Sequence, residues 1–364
     1  MKKILTVFGT RPEAMKMCPL VIEMKRRSGL ETIVCVTSQH KEMLASALAI
    51  FGVAPDFDLD IMKERQTLFD INKNTVRGLR EVIEKTRPDI VAVHGDTTTA
   101  FASALCAFYM GVPVAHVEAG LRTYDVQSPY PEEFNRAAID KIARYCFAPT
   151  ERAAENLRRE GKRDGEIFTV GNTAIDALKY TAKSDYESDI LRAARGRRLI
   201  TVTAHRRENI GGGMKNMFAA IRDIAMSYPD TLTVYPVHKN PAVTSLAKEY
   251  LSGVGNIILT EPMEAVEFHS TLARSYLTLT DSGGIQEEAP SLGCPVIVMR
   301  DTTERPEAIE AGTAILAGTG RKEIFDAAAR LLNDKSLHDK MKSIKNPFGD
   351  GHTSERIADI LEKI

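Results

Sequence analysis

Short runs of Val, Ile and Leu alternate along this chain with longer segments whose apolar residues recur every three or four positions. The runs at 4–9, 32–37, 90–95, 113–119, 145–149 and 167–170 predict one series of strands. Those at 199–204, 231–237, 256–259, 276–280, 295–299 and 314–316 predict a second. Several runs are continuously apolar, as suits parallel strands covered on both faces. Alternation with amphipathic segments argues for βαβ units, hence an α/β fold of two doubly wound sheets, with ligands expected at the carboxyl ends of the strands. Gly171-Asn172-Thr173 marks the crossover, and the polar segment 182–198 leads as helix and loop into the second sheet. The breaker set Asn346-Pro347-Phe348-Gly349-Asp350-Gly351 precedes a last helix, 353–364, expected to pack back on the first domain. The domains are therefore placed at 1–171 with 352–364, and at 172–351.

A length of 364 residues agrees with two domains. A net charge of −1 removes any broad nucleic-acid footprint. Cys18, Cys35, Cys106, Cys146 and Cys294 are scattered without a CxxC pair, against a disulfide framework or a zinc site and in favour of buried thiols. The first apolar run stops at Gly9 and Arg11, so it reads as a strand rather than a signal peptide, and no run is long enough for a membrane span. A cytoplasmic, enzyme-sized protein is expected.

Chemistry gathers at the ends of the predicted strands. In Leu277–Pro290, LTLTDSGGIQEEAP, a strand runs into Asp281, Ser282, Gly283 and Gly284 and then a helix-compatible segment with Glu287 and Glu288. Such a turn aims backbone N–H groups and the positive helix end at one point, lets a phosphate approach closely, and leaves Glu288 for ribose hydroxyls. An ordinary strand–turn–helix connection reads the same way. Arg11 and Lys16 follow the first strand, as cleft cations or surface charges. Asp96, in His94-Gly95-Asp96-Thr97, ends a wholly apolar strand, where it serves a ligand or caps a helix. Glu118 repeats the pattern one unit later, at a place where a carboxylate is costly unless paired or functional. Glu132 and Glu133 open a Pro-rich helix start, with Arg136 on the face of Glu132. His205-Arg206-Arg207-Glu208-Asn209 ends the first strand of the second half, followed by glycines that suit a phosphate but lack the dinucleotide or P-loop spacing. His238 ends the next strand; Phe268 suits a base or the core; Arg305 lies where it reaches a phosphate bidentately.

Together these stretches resemble the non-hydrolysing UDP-N-acetylglucosamine 2-epimerases of bacteria, nearly end to end and in order. The segments are FGTRPEAMKM, VTSQHKEML, VHGDTTTAFA, HVEAGLRT, PYPEEFNR, VGNTAIDAL, TAHRREN, YPVHKNP, LTDSGGIQEEAPSLGCPVIVMRDTTERPEA and NPFGDG. The resemblance implies two Rossmann-like domains in the GT-B arrangement, with the active site in the interdomain cleft. It implies interconversion of UDP-GlcNAc and UDP-ManNAc without NAD or metal, supplying ManNAc for cell-surface polysaccharides, and a homodimer. Residue by residue it implies Asp96, Glu118, Glu132 and His205 as catalytic. It implies Arg11, Lys16, Arg136, Met263, Phe268, Ser282, Gly283, Gly284, Glu288 and Arg305 as substrate contacts; Met263 stands where other members carry Gln. Gln39, Arg65, Gln66, Arg206 and His238 resemble a second site, at which UDP-GlcNAc acts as activator. Glu42 replaces a Gln found in some activated members.

The residues make sense of that chemistry. C2 of the sugar carries an acetamido group, so its proton is barely acidic until departure of UDP builds oxocarbenium character at C1. Elimination gives a 2-acetamidoglucal; reprotonation on the other face and return of UDP complete the inversion. Acid and base groups are needed on both faces, and cations with helix dipoles must hold the departing diphosphate. A retaining glycosyltransferase, a non-catalytic nucleotide-sugar sensor and an epimerase for a related UDP-diacetamido sugar share parts of this pattern.

Overall fold

The computed structural model describes residues 1–39, 41–63 and 66–364. The chain forms two compact units, Met1–Ala177 with Phe348–Ile364, and Leu178–Pro347.

In the first unit the strands are β1 (Lys2–Phe8), β2 (Leu30–Val36), β3 (Phe57–Asp58), β4 (Ile90–His94), β5 (Val114–Val117), β6 (Tyr145–Ala148) and β7 (Ile167–Thr169). Among the described residues they form one parallel sheet in the order β3-β2-β1-β4-β5-β6-β7. The chain winds outward from β1 to one edge, returns, and fills the other side from β4. The connections that leave the carboxyl ends of β1 and β4 therefore run to opposite sides, the kind of switch point at which open α/β sheets bind ligands. Leu5, Val7, Val91, Val93 and Val114 are buried in its core; each such side chain stabilises the unit by about 1.5–3 kcal/mol. The predicted strand 113–119 ends early, at Val117, because Glu118 takes a positive φ of 68°. The two-residue β3 has no apolar run to announce it.

The second unit holds β8 (Arg198–Thr203), β9 (Thr231–Pro236), β10 (Ile257–Thr260), β11 (Leu277–Thr280), β12 (Val296–Val298) and β13 (Ala314–Leu316). Their order, β10-β9-β8-β11-β12-β13, is the same winding, with the switch point at β8 and β11. Ile200, Val202, Leu277, Leu279 and Ile297 fill its core with Phe218 and Tyr235. Residues 182–198 contain one short helix, Asp189–Ala193, before β8 begins at Arg198.

The change of unit falls within helix Thr173–Thr181 rather than at Gly171. Asn172 N donates to the Phe348 carbonyl, and Asp176 accepts from the amides of Thr353 and Ser354. These bonds keep the start of that helix with the first unit. The last helix, Thr353–Lys363, packs on helix Arg11–Lys25, and Lys2 Nζ donates to the Leu361 carbonyl at 2.9 Å. No helix among the described residues is long and apolar enough to cross a membrane, and the five cysteines are free and buried.

Candidate active site

In the first unit the turns after β1, β4 and β5 carry a cluster of charge. Thr10 and Glu13 form a capping box at the start of helix Arg11–Lys25. Glu13 Oε2 accepts from Gly9 N, Thr10 N and Thr10 Oγ1, while Oε1 accepts from Thr97 Oγ1 at 2.7 Å. This buried carboxylate therefore ties the turn after β1 to the turn after β4, and burial pushes its pKa upward against those hydrogen bonds. Arg11 and Lys16 lie on the helix it caps. Lys16 Nζ reaches Glu118 Oε2 at 2.5 Å, and Asn172 Nδ2 donates to the same oxygen at 2.9 Å. His94 Nε2, buried and without a hydrogen-bond partner among the described residues, stands 3.7 Å away from it. Burial holds the His94 pKa down to about 3, so the ring beside Glu118 is neutral.

Asp96 pairs with Arg136 at 2.8 Å, and Asn135 Nδ2 donates to the Asp96 carbonyl. Both partners come from helix Glu132–Ile142. Burial raises the Asp96 pKa; Arg136 opposes it, and the neighbouring charges of Glu118 and Glu132 add to it. Glu132 opens that helix with a buried Oε2 that has no hydrogen-bond partner among the described residues. Three acids from separate elements thus influence one another, and one of them is biased toward its protonated form.

In the second unit the switch point is closed by Thr203 Oγ1 and Thr280 Oγ1, 2.5 Å apart. Asp281, fully buried, accepts from the amides of His205 and Arg206 at 2.8 and 2.9 Å, with His205 Nδ1 at 3.4 Å. His205 also stacks on His238, the centroids 5.6 Å apart. Partial burial holds the His205 pKa below its usual value, against the pull of Asp281. Helix Gly283–Ser291 begins after Ser282, which makes no side-chain cap bond, so the first-turn amides are left to an outside acceptor. Around this helix start, Arg206 pairs with Glu304 at 2.8 Å and Arg300 with the other oxygen of Glu304. Burial alone would raise the Glu304 pKa; the arginines bring it below the usual carboxylate range. Arg305 pairs with Glu287, and His269 lies 3.4 Å from Glu288.

The expected residues fall unevenly. Asp96, Glu118, Glu132, Lys16 and Arg136 converge in the first unit. Ser282, Gly283, Gly284, Glu288 and Arg305 surround one helix start in the second. Arg206, expected at a second site, stands at that same helix: a Cβ on Gly283 would lie 3.6 Å from its Nη2. Gln39 accepts from Thr99 Oγ1 at 2.9 Å, and Gln66 is held to Lys63. Arg65 lies outside the described residues. Glu42 is exposed in the first turn of helix Lys41–Phe51. Met263 packs with Leu191, Leu199 and Leu232, and Phe268 meets the edge of His269. Sequence reasoning passed over His94, Asn172 and Glu13. The Thr10-x-x-Glu13 spacing was a readable signal for Glu13; no local signal marked the other two.

Residues 22–362 match the profile of a family described as UDP-N-acetylglucosamine 2-epimerase. The UDP-N-acetylglucosamine 2-epimerase of Bacillus subtilis (strain 168) is 51% identical over 359 residues, 99% of this chain and 94% of that one. A UDP-GlcNAc 2-epimerase from Neisseria meningitidis, solved bound to UDP-GlcNAc, is 44% identical with a TM-score of 0.89, over 100% of each chain. The S. aureus protein MnaA, in a co-structure with UDP, is 48% identical with a TM-score of 0.89, over 100% of this chain and 96% of that one.

Proposed function

This chain belongs to the UDP-N-acetylglucosamine 2-epimerase family, and we propose that it inverts C2 of UDP-N-acetylglucosamine by eliminating UDP and adding it back. The observation that carries the mechanism is the set Asp96, Glu118 and Glu132, gathered with Lys16 and Arg136 at the carboxyl ends of β4 and β5. An enzyme that only transfers a glycosyl group breaks no carbon–hydrogen bond; one that removes the C2 hydrogen from one face and returns it on the other needs acid–base groups on both faces. Their environments differ. Glu118 is gripped by a cation and an amide, whereas burial biases Asp96 toward its protonated form. Such divergence suits complementary acid and base work.

The second unit carries groups of a different kind. The open start of helix Gly283–Ser291 offers oriented amides, with Arg206 and Arg305 beside it to take the charge that develops on the diphosphate as the C1–O bond breaks. His205, half-exposed and with its pKa lowered by partial burial, can hydrogen-bond the leaving phosphate. The product suits a pathway that supplies ManNAc for cell-surface polysaccharide, and the buried thiols suit the cytoplasm.

The test is NMR of the chain with UDP-N-acetylglucosamine in D₂O. Deuterium is expected at C2 of both recovered epimers. Unlabelled sugar from a preparation that turns over overturns the proposal, and turnover that requires an added acceptor reassigns the chain as a transferase.

A dimer is part of the same reading. Phe69, Phe108, Tyr109 and Phe134 are exposed on three helices of the first unit that pack in sequence, Leu68–Thr86, Thr98–Tyr109 and Glu132–Ile142. Apolar exposure on adjoining helices is the mark of a partner surface, and a second copy satisfies it with closed symmetry. Light scattering is expected to give twice 40.2 kDa; a monomer at micromolar concentration removes the idea.

A further inference from the structure

We propose that Asp140 is a positioning residue that, through His116 and the Gly120 amide, holds the turns bearing Asp96 and Glu118 at one fixed spacing. This role rests on the reading above, in which those two acids handle the C2 hydrogen.

Asp140 lies near the end of helix Glu132–Ile142 and is 1% exposed. Its Oδ1 is 2.6 Å from His116 Nδ1, and its Oδ2 accepts from Gly120 N at 3.0 Å. His116, fully buried on β5, donates from Nε2 to the Gly95 carbonyl at 2.7 Å. Gly95 immediately precedes Asp96. His116 and Gly120 each stand two residues from Glu118, one on either side. A single carboxylate thus clamps both flanks of Glu118 and, through one imidazole, the residue before Asp96.

The backbone at Glu118 needs such a clamp. Its φ of 68° is disfavoured for any residue with a Cβ, and it persists only where the surroundings over-determine it. The Asp140 helix also holds Asp96 from its other side, through Arg136 and Asn135. One rigid helix therefore references both acids. A stabilising ion pair alone explains less. Arg122, also 2.8 Å from Asp140, already makes a bidentate pair with Glu160 at 2.7 Å for each bond. Buried ion pairs are in any case weak sources of stability, whereas small errors in the placing of reacting groups cost about 10²-fold in rate.

The experiment compares the full-length chain with D140N, H116Q and H116F. Three quantities are read: kcat per UDP-binding site by calorimetry, KM for UDP-N-acetylglucosamine, and the ratio of C2 deuterium uptake without inversion to uptake with inversion. D140N and H116F are expected to lose about 10- to 100-fold in kcat per binding site, with KM within about 3-fold. Their exchange ratio is expected to rise, because misplaced acids return the hydrogen to the wrong face. H116Q, which keeps a donor toward the Gly95 carbonyl, is expected to recover part of what H116F loses. Wild-type kcat and exchange ratio in D140N and H116F overturn the proposal. So does a loss matched one for one by loss of UDP-binding sites, which makes the pair a structural brace only. A wild-type chain that never exchanges C2 hydrogen overturns the functional reading and this role with it; an active wild type with unmoved variants overturns the positioning role alone.

Discussion

Glu118→Gln is expected to lower kcat by about 10³-fold while leaving UDP affinity within about 3-fold of the parent. The substitution keeps side-chain length and the αL backbone requirement but removes the group that gains or loses a proton. Lys16 Nζ at 2.5 Å and Asn172 Nδ2 at 2.9 Å would then meet a neutral amide. The groups proposed to hold the nucleotide lie in the second unit, around helix Gly283–Ser291, so on that proposal the variant separates binding from chemistry. Calorimetric titration with UDP and the NMR exchange assay on one preparation read the two quantities. Activity within 10-fold of the parent would remove Glu118 from the acid–base set and leave Asp96 and Glu132 to account for inversion.

The second large effect is on stability. Gly120→Ala is expected to cost about 2–5 kcal/mol, read as a lower urea midpoint for the first unit. Gly120 has a φ of +85°, and an added Cβ would lie 2.2 Å from the Ala153 carbonyl oxygen, a backbone atom that no rotamer change moves aside. The residue is pinned as well: its N–H donates to Asp140, and its carbonyl accepts from Asn156 Nδ2 at 3.0 Å. The backbone penalty and the overlap therefore add. A midpoint unchanged from the parent would mean that helix Glu151–Arg159 moves away freely, and that the turn bearing Glu118 is held less firmly than the geometry implies.

Much of the framework was legible because it is written locally. Continuous Val and Ile runs gave the long strands within a residue or two at each end, and the breaker set before residue 353 gave the last helix. Asp96, Glu118 and Asp281 were legible for a related reason: a charged residue that ends an apolar strand must lie at a carboxyl edge. β3 was not, since two residues carry no period. The early end of β5 was not, since nothing in the composition of HVEAG announces a positive φ at Glu118. The placing of Arg206 at the start of helix Gly283–Ser291 also escaped, since its partner Glu304 is 98 residues further on.

The amino-acid order by itself settled the periods, the two parallel sheets, the charged residues at strand ends and the glycines that open helix Gly283–Ser291, because each is a property of a few neighbouring residues. The tertiary structure alone decided which of those groups meet. Lys16 and Glu118 are 102 residues apart, Asn172 and Glu118 are 54 apart, and Asp140 closes on His116 and Gly120 from helix Glu132–Ile142. Strand order sets these meetings: returning the chain to place β4 beside β1 brings distant turns to one edge. Burial at that edge then sets the protonation of Asp96 and His94, because desolvation depends on everything packed around a group and not on its neighbours in the chain.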